Sequence, residues 1–203
     1  MTIKYEEYRI LIMKSFLKII FLSLLLNSPS FSDEKTFDIE GFKLGDSLLD
    51  TYTEELLQKN KQDYWKSKKV TPIEFWPPHE STSTYSGLQF MFKTKDKKRK
   101  IIGLTAMREY KDNIEDCFAE KDRLVAEMTK NLTGVKKISK EKTFKMRDDY
   151  GSVTDVGFKF KSKAVIVVAC YNYSEKIEKE KEWYDHLRIS VRNKSYESFL
   201  NNL

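Results

Sequence analysis

The sequence DNIEDCFAEKDRLVAEMTKNLTG, residues 112–134, decides the fold together with the apolar run AVIVVACYNY, residues 164–173. The first stretch predicts a long amphipathic helix, because its apolar residues recur every three or four positions along one face. Asp112 and Glu115 form a capping-box pattern at its start, and Gly134 is suited to a left-handed cap at its end. The apolar set comprises Ile114, Cys117, Phe118, Leu124, Val125, Met128 and Leu132.

The run at residues 164–173 predicts a central strand, since both of its alternating sets are apolar or aromatic. Cys170 shares a strand face with Ile166 and Val168, and Cys117 lies on the apolar stripe of the helix. These are the two cysteines of the chain, and we expect them to form a structural disulfide from helix to sheet. The alternatives are two separate buried thiols, which are common in cytosolic proteins, and a redox-active pair. Reactive pairs usually lie close together at a helix N-terminus, which disfavours the last alternative.

The first 32 residues resemble an export signal. Lys14 and Lys18 accompany an apolar core at residues 16–26, and Ser30 and Ser32 fit the small positions before a cleavage site, so the mature chain is predicted to begin at Asp33. Residues 1–12 fit an over-called start, because Met13 gives a more usual signal sequence. The apolar core is too short to span a bilayer as an ordinary helix. An uncleaved anchor is the alternative. The mature chain, residues 33–203, is therefore expected in the periplasm or outside the cell, with no transmembrane span.

The rest of the mature chain alternates strand and helix patterns that predict a single α+β domain. Its fold is expected to be a mostly antiparallel sheet with helices packed on one face. Strands are predicted at residues 36–44, 70–76 and 187–192, and helices at residues 48–60 and 196–203. Hairpins are predicted from residues 88–93 with 100–109 and from 152–161 with 164–173. Residues 174–181 read as a charged connection.

The pattern I-E-G-F-K-L-G-D-S-L-L-D at residues 39–50, with the later D-C-F helix and the cysteine-bearing strand, resembles small exported bacterial proteins of uncharacterised function. The resemblance covers most of the mature chain and implies export, but it brings no activity or site residue. The strand–glycine turn–helix opening alone is also similar to small outer-membrane-assembly lipoproteins. This chain departs from them because no cysteine follows its apolar core.

The main positive signal for binding is basic. Lys97, Lys98 and Arg99 are the candidate binding residues, at the tip of the first hairpin. The outward-facing Lys159, Lys161, Arg188 and Arg192 would extend a cationic sheet face toward an anionic envelope component. A charged hairpin tip that protects strand edges is the alternative. The net charge of +6 does not favour nucleic acid, because arginine, the better reader of phosphates and bases, is scarce beside lysine.

The candidates for catalysis are few. The two histidines, His79 and His186, lack the spacing of metal ligands, and the G-x-S-x-G nucleophile elbow is absent. Lys121 falls within the apolar stripe of the long helix, where it would follow the interface, pair with a carboxylate or point into a pocket. Asp148, Asp149 and Asp155 offer oxygen ligands for calcium, but a solvated turn is the better interpretation. We name no catalytic residue and expect no metal or cofactor.

Three functions remain open from the sequence. The first is an exported, non-catalytic binding or accessory protein. The second is a small envelope-acting enzyme with dispersed residues, such as His79, Glu80 and Lys121. The third is an interaction protein with an exposed aromatic patch around Trp65, Trp76 and Trp183.

Overall fold

A computed structural model of the protein describes residues 37–76, 84–111, 113–138 and 141–203. All of them belong to one compact unit, Phe31–Leu203. The predicted export signal, His79, Glu80 and Asp112 lie outside the described residues.

The described residues include ten strands and four α-helices. The strands are β1 Asp38–Ile39, β2 Phe42–Lys43, β3 Val70–Phe75, β4 Gly87–Lys93, β5 Ile101–Glu109, β6 Val135–Lys137, β7 Lys142–Lys145, β8 Gly151–Phe160, β9 Val165–Tyr173 and β10 His186–Arg192. The helices are α1 Glu54–Lys59, α2 Ile114–Asn131, α3 Glu175–Lys181 and α4 Lys194–Leu200. Strands β1 and β2 form a separate small hairpin. The other strands form one antiparallel sheet in the order β3-β4-β5-β10-β9-β8-β6, with β7 also paired to β8. The predicted α+β class and mostly antiparallel sheet are confirmed.

Helix α2 packs across β9 and β10, and the predicted disulfide joins it to the sheet. The Cys117 and Cys170 sulfur atoms are 2.06 Å apart, and their Cα atoms are 6.0 Å apart. Both cysteines are fully buried. The predicted cap is one residue out of place: Asn113 is the N-cap, and its side chain accepts a hydrogen bond from the Asp116 amide. Gly134 adopts the left-handed conformation expected of it, with φ of 71°.

The core lies on the face of the sheet that carries α2. Alternating residues of the central strands point into it, including Leu104, Phe158, Ile166, Val168 and Ile189. The N-terminal segment covers the β3–β5 end of this same face, where Leu48 and Leu57 are fully buried. One face of the sheet is thereby filled, and the opposite face supplies the second set of alternating side chains.

The N-terminal segment differs from its prediction in two places. The strand predicted at residues 36–44 is a tight hairpin, since Glu40 and Gly41 have positive φ and reverse the chain. The helix predicted at 48–60 is divided into a 3-10 turn, Leu48–Asp50, and helix α1. The Thr53 hydroxyl caps α1 by accepting the Leu56 amide hydrogen. Leu49, an apolar residue of the predicted helix, is exposed because the chain changes direction there.

Candidate functional site

The face of the sheet opposite α2 forms a groove of about 810 Å³. Its floor is built from the side chains that alternate with the core set on β4, β5, β10, β9 and β8. The middle row of the floor crosses the sheet through Gly157, Val167, Ser190 and Thr105. Of this row, Thr105, Val167 and Ser190 line the groove.

Three tryptophans line the groove. Trp76 and Trp183 are each 47% exposed, and Trp65 is half-buried. The ring of Trp76 lies directly over Gly87, where an added Cβ would come within 2.0 Å of its Cε3 atom. The Trp183 ring lies 5.7 Å from that of Tyr173. Such partly exposed aromatic rings are suited to packing against apolar or planar groups.

Helix α4 closes one corner of the groove. Tyr196 of this helix packs over Gly103 on β5, where an added Cβ would approach the ring to 2.5 Å. Trp65 continues this corner, with its ring 5.2 Å from Phe199 and 6.3 Å from Tyr196. The glycine thus allows α4 to lie directly on the sheet and to give the groove a fixed end.

Arg188 of β10 lies in the floor and is the most distinctive polar group of the groove. Its guanidinium carbon is 4.4 Å from the centre of the Tyr171 ring. Its Nη1 donates a weak hydrogen bond of 3.4 Å to the Tyr171 hydroxyl, and its Nη2 lies 3.6 Å from the Met107 sulfur. Within the described ranges Arg188 forms no ion pair with a carboxylate, and its buried Nε has no hydrogen-bond partner. Its charge is held in place by aromatic and sulfur contacts and remains available to an anion.

His186 lies two residues before Arg188 on the same strand face and is only 6% exposed. Its ring stacks on Tyr171 with the centroids 4.8 Å apart. Nδ1 is 3.0 Å from the Tyr184 carbonyl oxygen, and because a carbonyl only accepts, Nδ1 carries the hydrogen. Burial, reinforced by the charge of Arg188, lowers the pKa of His186 to about 4. Nε2 is therefore a hydrogen-bond acceptor, and it has no partner among the described residues.

Stability should fall between pH 6.5 and pH 4 because of His186. The unfolded imidazole takes up a proton near pH 6.5, whereas the folded one resists until its pKa of about 4, so lowering the pH favours unfolding by roughly 3 kcal/mol over this window. Chemical denaturation of the parent protein and the His186→Gln variant at several pH values measures this loss as the difference between the two curves. Parallel curves would contradict the prediction, as would an NMR titration in which the His186 ring protonates near pH 6.5.

The charges around the groove are mixed. Asp155, Glu74, Glu109 and Glu182 line it together with Arg188 and Arg192. Arg192 is already paired with Glu197 at 2.7 Å, and burial raises the pKa of Asp155. The predicted outward direction of Arg188, Arg192 and Lys159 is confirmed, because their strand registers place all three on this face. The face is not uniformly cationic, however, since carboxylates alternate with these cations.

Comparison of this chain with protein-family models, curated proteins and solved structures finds no match. Its site is therefore interpreted from its own geometry.

The predicted binding residues at the hairpin tip lie apart from the lining of this groove. Lys97 and Lys98 are exposed. Arg99 instead holds Glu54 through two hydrogen bonds of 2.7 and 3.1 Å. The charge of Arg99 is therefore already paired within the protein, which leaves Lys97 and Lys98 as the exposed cations of the three.

Lys121 is 1% exposed, and its ammonium donates to Asp122 at 2.5 Å and to Glu141. Of the three roles considered for it, the carboxylate-paired one is correct, and it does not line the groove. The calcium site considered at Asp148, Asp149 and Asp155 has no structural support. In the part of the chain that the structure describes, no three or more potential metal-ligand side chains cluster together. Asp155 lies in the groove, while Asp148 belongs to a 3-10 turn, Arg147–Asp149.

The groove was missed as a site by sequence reasoning, although its parts were visible. The outward set of β9 carries Tyr171 and Tyr173, and that of β10 carries His186 and Arg188. Aromatic and cationic residues on the outward faces of two adjacent strands could have indicated a binding surface, since a purely solvated face would carry mostly charged and small polar groups.

Proposed function

We propose that this chain is an exported, non-catalytic binding protein whose ligand site is the groove on the open face of the sheet. The observation that carries the proposal is the groove itself, about 810 Å³ in volume and walled by partly exposed tryptophans. Its volume lies within the range of small-molecule sites.

The polar groups of the floor support recognition over catalysis. The Ser190 and Thr105 hydroxyls are 2.9 Å apart and bond to each other, so among the described residues each has a hydroxyl and not a base as its side-chain partner. His186 has its Nδ1 tied to a backbone carbonyl and not to a carboxylate, unlike the base of a catalytic triad. The enzyme alternative that includes His79 and Glu80 stays a hypothesis.

Export is supported by the predicted signal segment, by the resemblance to exported bacterial proteins and by the Cys117–Cys170 disulfide. Disulfides persist in oxidising compartments and are rare in the cytosol. No helix in the described ranges is long and apolar enough to cross a membrane. We place the protein in the periplasm or outside the cell.

The hairpin tip is a second candidate surface, for an anionic envelope component. The exposed ammonium groups of Lys97 and Lys98 favour it, as does their distance in the fold from the mixed charges of the groove. It ranks below the groove because exposed lysines at a hairpin tip are also explained by their role in preventing the strand edges from pairing with another chain.

The groove hypothesis predicts that Val167→Trp abolishes ligand binding. Val167 is half-buried at the middle of the floor, so an indole there fills the groove without entering the core on the other face. Ligand-observed NMR with a library of apolar and aromatic fragments measures the effect, and we expect binding to the parent protein and none to the variant.

The matched control is Lys97→Trp, which adds the same side chain at the exposed hairpin tip. Fragment binding should survive this change. Equal binding to the parent and to Val167→Trp would show that the groove is not the ligand site. Loss of binding only in Lys97→Trp would show that the ligand binds at the hairpin tip instead.

A further inference from the structure

Among the described residues that line the groove, His186 and Arg188 each have a buried nitrogen without a hydrogen-bond partner and form no ion pair, and both belong to one strand. Arg188 and His186 are separated by one residue on β10 and point to the same face, which places their Cβ atoms roughly 7 Å apart. His186 is nine-tenths buried, and its Nε2 has no partner in the described part of the chain. A buried polar atom without a partner costs stability. His186 lines the groove, but its Nε2 is covered, so a ligand donor must displace a neighbouring side chain to satisfy it.

Arg188 selects the charge of that ligand. A guanidinium binds a carboxylate or phosphate through two parallel hydrogen bonds. The two hydrogen bonds that Arg188 donates, to the Tyr171 hydroxyl and the Met107 sulfur, are long and weak. Asp155, Glu74, Glu109 and Glu182 line the same groove. Arg192, the other arginine, is neutralised by Glu197. Among the described residues that line the groove, Arg188 is therefore the arginine without an ion pair. The carboxylates of the groove repel a doubly charged phosphate more strongly than a singly charged carboxylate.

His186 selects a second feature. Because its Nε2 only accepts in the neutral form, it requires an N–H or O–H donor on the ligand close to the carboxylate. The amide N–H of an acylated amino acid or of the last residue of a peptide meets this requirement. The rings of Trp76 and Trp183 then offer apolar contact for the remainder of the ligand.

We propose that the groove binds an apolar acylated amino acid or peptide by its terminal carboxylate, with Arg188 holding the carboxylate and His186 Nε2 accepting the adjacent amide hydrogen. This inference rests on the groove being the ligand site, as proposed above. It adds the chemical class of the ligand and the two residues that recognise it.

The test is isothermal titration calorimetry with a pool of N-acetylated tripeptides that end in phenylalanine, in a free-carboxylate and a C-terminal amide form. The disulfide-bonded protein should bind the acid pool about 10- to 100-fold more tightly than the amide pool, as expected for a hydrogen-bonded charge. Arg188→Met should weaken binding of the acid pool by a similar factor and leave binding of the amide pool unchanged. Lys98→Met removes the same charge at the exposed tip and should change neither.

His186 is tested with acid-form peptides methylated at the last amide nitrogen, which have no hydrogen to donate. His186→Phe should weaken binding of the ordinary peptides and have no effect on the methylated ones. This comparison separates a lost hydrogen bond from a general loss of packing, because a loss of packing would weaken binding of the ordinary and the methylated peptides alike.

The outcomes distinguish this inference from the proposed function. Equal affinity for acid and amide pools, with loss of both in Val167→Trp, would overturn the carboxylate inference and keep the groove. Tighter binding of a phosphorylated pool would overturn it in favour of phosphate. If neither pool binds while apolar fragments do, the ligand class is wrong, and binding that survives Val167→Trp would remove the groove itself.

Discussion

Replacement of both Cys117 and Cys170 by alanine should lower the free energy of unfolding by about 4 kcal/mol. The bridge closes a segment of 53 residues between α2 and the central strand β9, and a loop of that length restricts the unfolded chain by about this amount. For a domain of this size the loss corresponds to a decrease of roughly 10 °C in the melting temperature. Urea denaturation of the parent and double variant measures it.

The reduced parent protein is the matched control, because it has the same side chains without the covalent bond. Its stability should lie close to that of the double variant, with the remaining difference due to the two missing sulfur atoms. Intact-mass measurement of the exported protein should find it lighter by two hydrogens than the reduced form. A stability difference of less than about 1 kcal/mol would show that the bridge is not a main constraint on the unfolded chain, and two free thiols would refute the pairing.

The elements joined by this bridge were also the ones that sequence reasoning located best. Helix α2 has a regular apolar stripe and β9 is a dense run of β-branched residues, so each pattern indicates its structure without reference to the rest of the chain. The two hairpins were also found, since in each of them two apolar runs follow one another with only a polar segment between them. Local patterns were sufficient wherever an element buries a continuous apolar face.

Elements with little apolar surface were missed. Helix α3, Glu175–Lys181, carries only Ile177 as a buried side chain, so its charged sequence gave no stripe and was interpreted as a connection. Strand β7, Lys142–Lys145, is exposed at every position and is held by pairing with β8. Both depend on the partner they meet in the folded chain, which no local window of sequence contains.

The groove could not be assembled from sequence for a topological reason. Its floor requires β10, the last strand of the chain, to insert between β9, which directly precedes it, and β5, which ends far earlier in the chain. That order brings Arg188 beside Met107 on one strand and Tyr171 on the other. The individual side chains were noticed as outward cations and aromatic candidates, but their meeting point depends on the non-local order of the strands.

Lys121→Glu should be about as destabilising as loss of the disulfide, at roughly 3–5 kcal/mol. The side chain of Lys121 is 1% exposed at the middle of α2, and its ammonium is held by Asp122 and Glu141. Burial opposes the charged form of Lys121, but the hydrogen bonds that its ammonium donates to these two carboxylates outweigh that effect and raise the pKa of Lys121. A glutamate here would bury a negative charge beside two exposed carboxylates and without a cationic partner, and an uncompensated buried charge carries a cost of this size.

Two further variants isolate the cause of that loss. Lys121→Met keeps most of the apolar stem, and Asp122 and Glu141 are more than half exposed and can return to water, so its cost should stay within about 1 kcal/mol. Lys130→Glu makes the same charge reversal at an exposed site in the last turn of α2, where an unfavourable charge costs less than about 1 kcal/mol. Urea denaturation of the three variants should therefore rank Lys121→Glu far below the other two. If Lys121→Met were as destabilising as Lys121→Glu, the ion pairs of Lys121 would themselves be the stabilising feature, because methionine keeps most of the packing of the lysine stem.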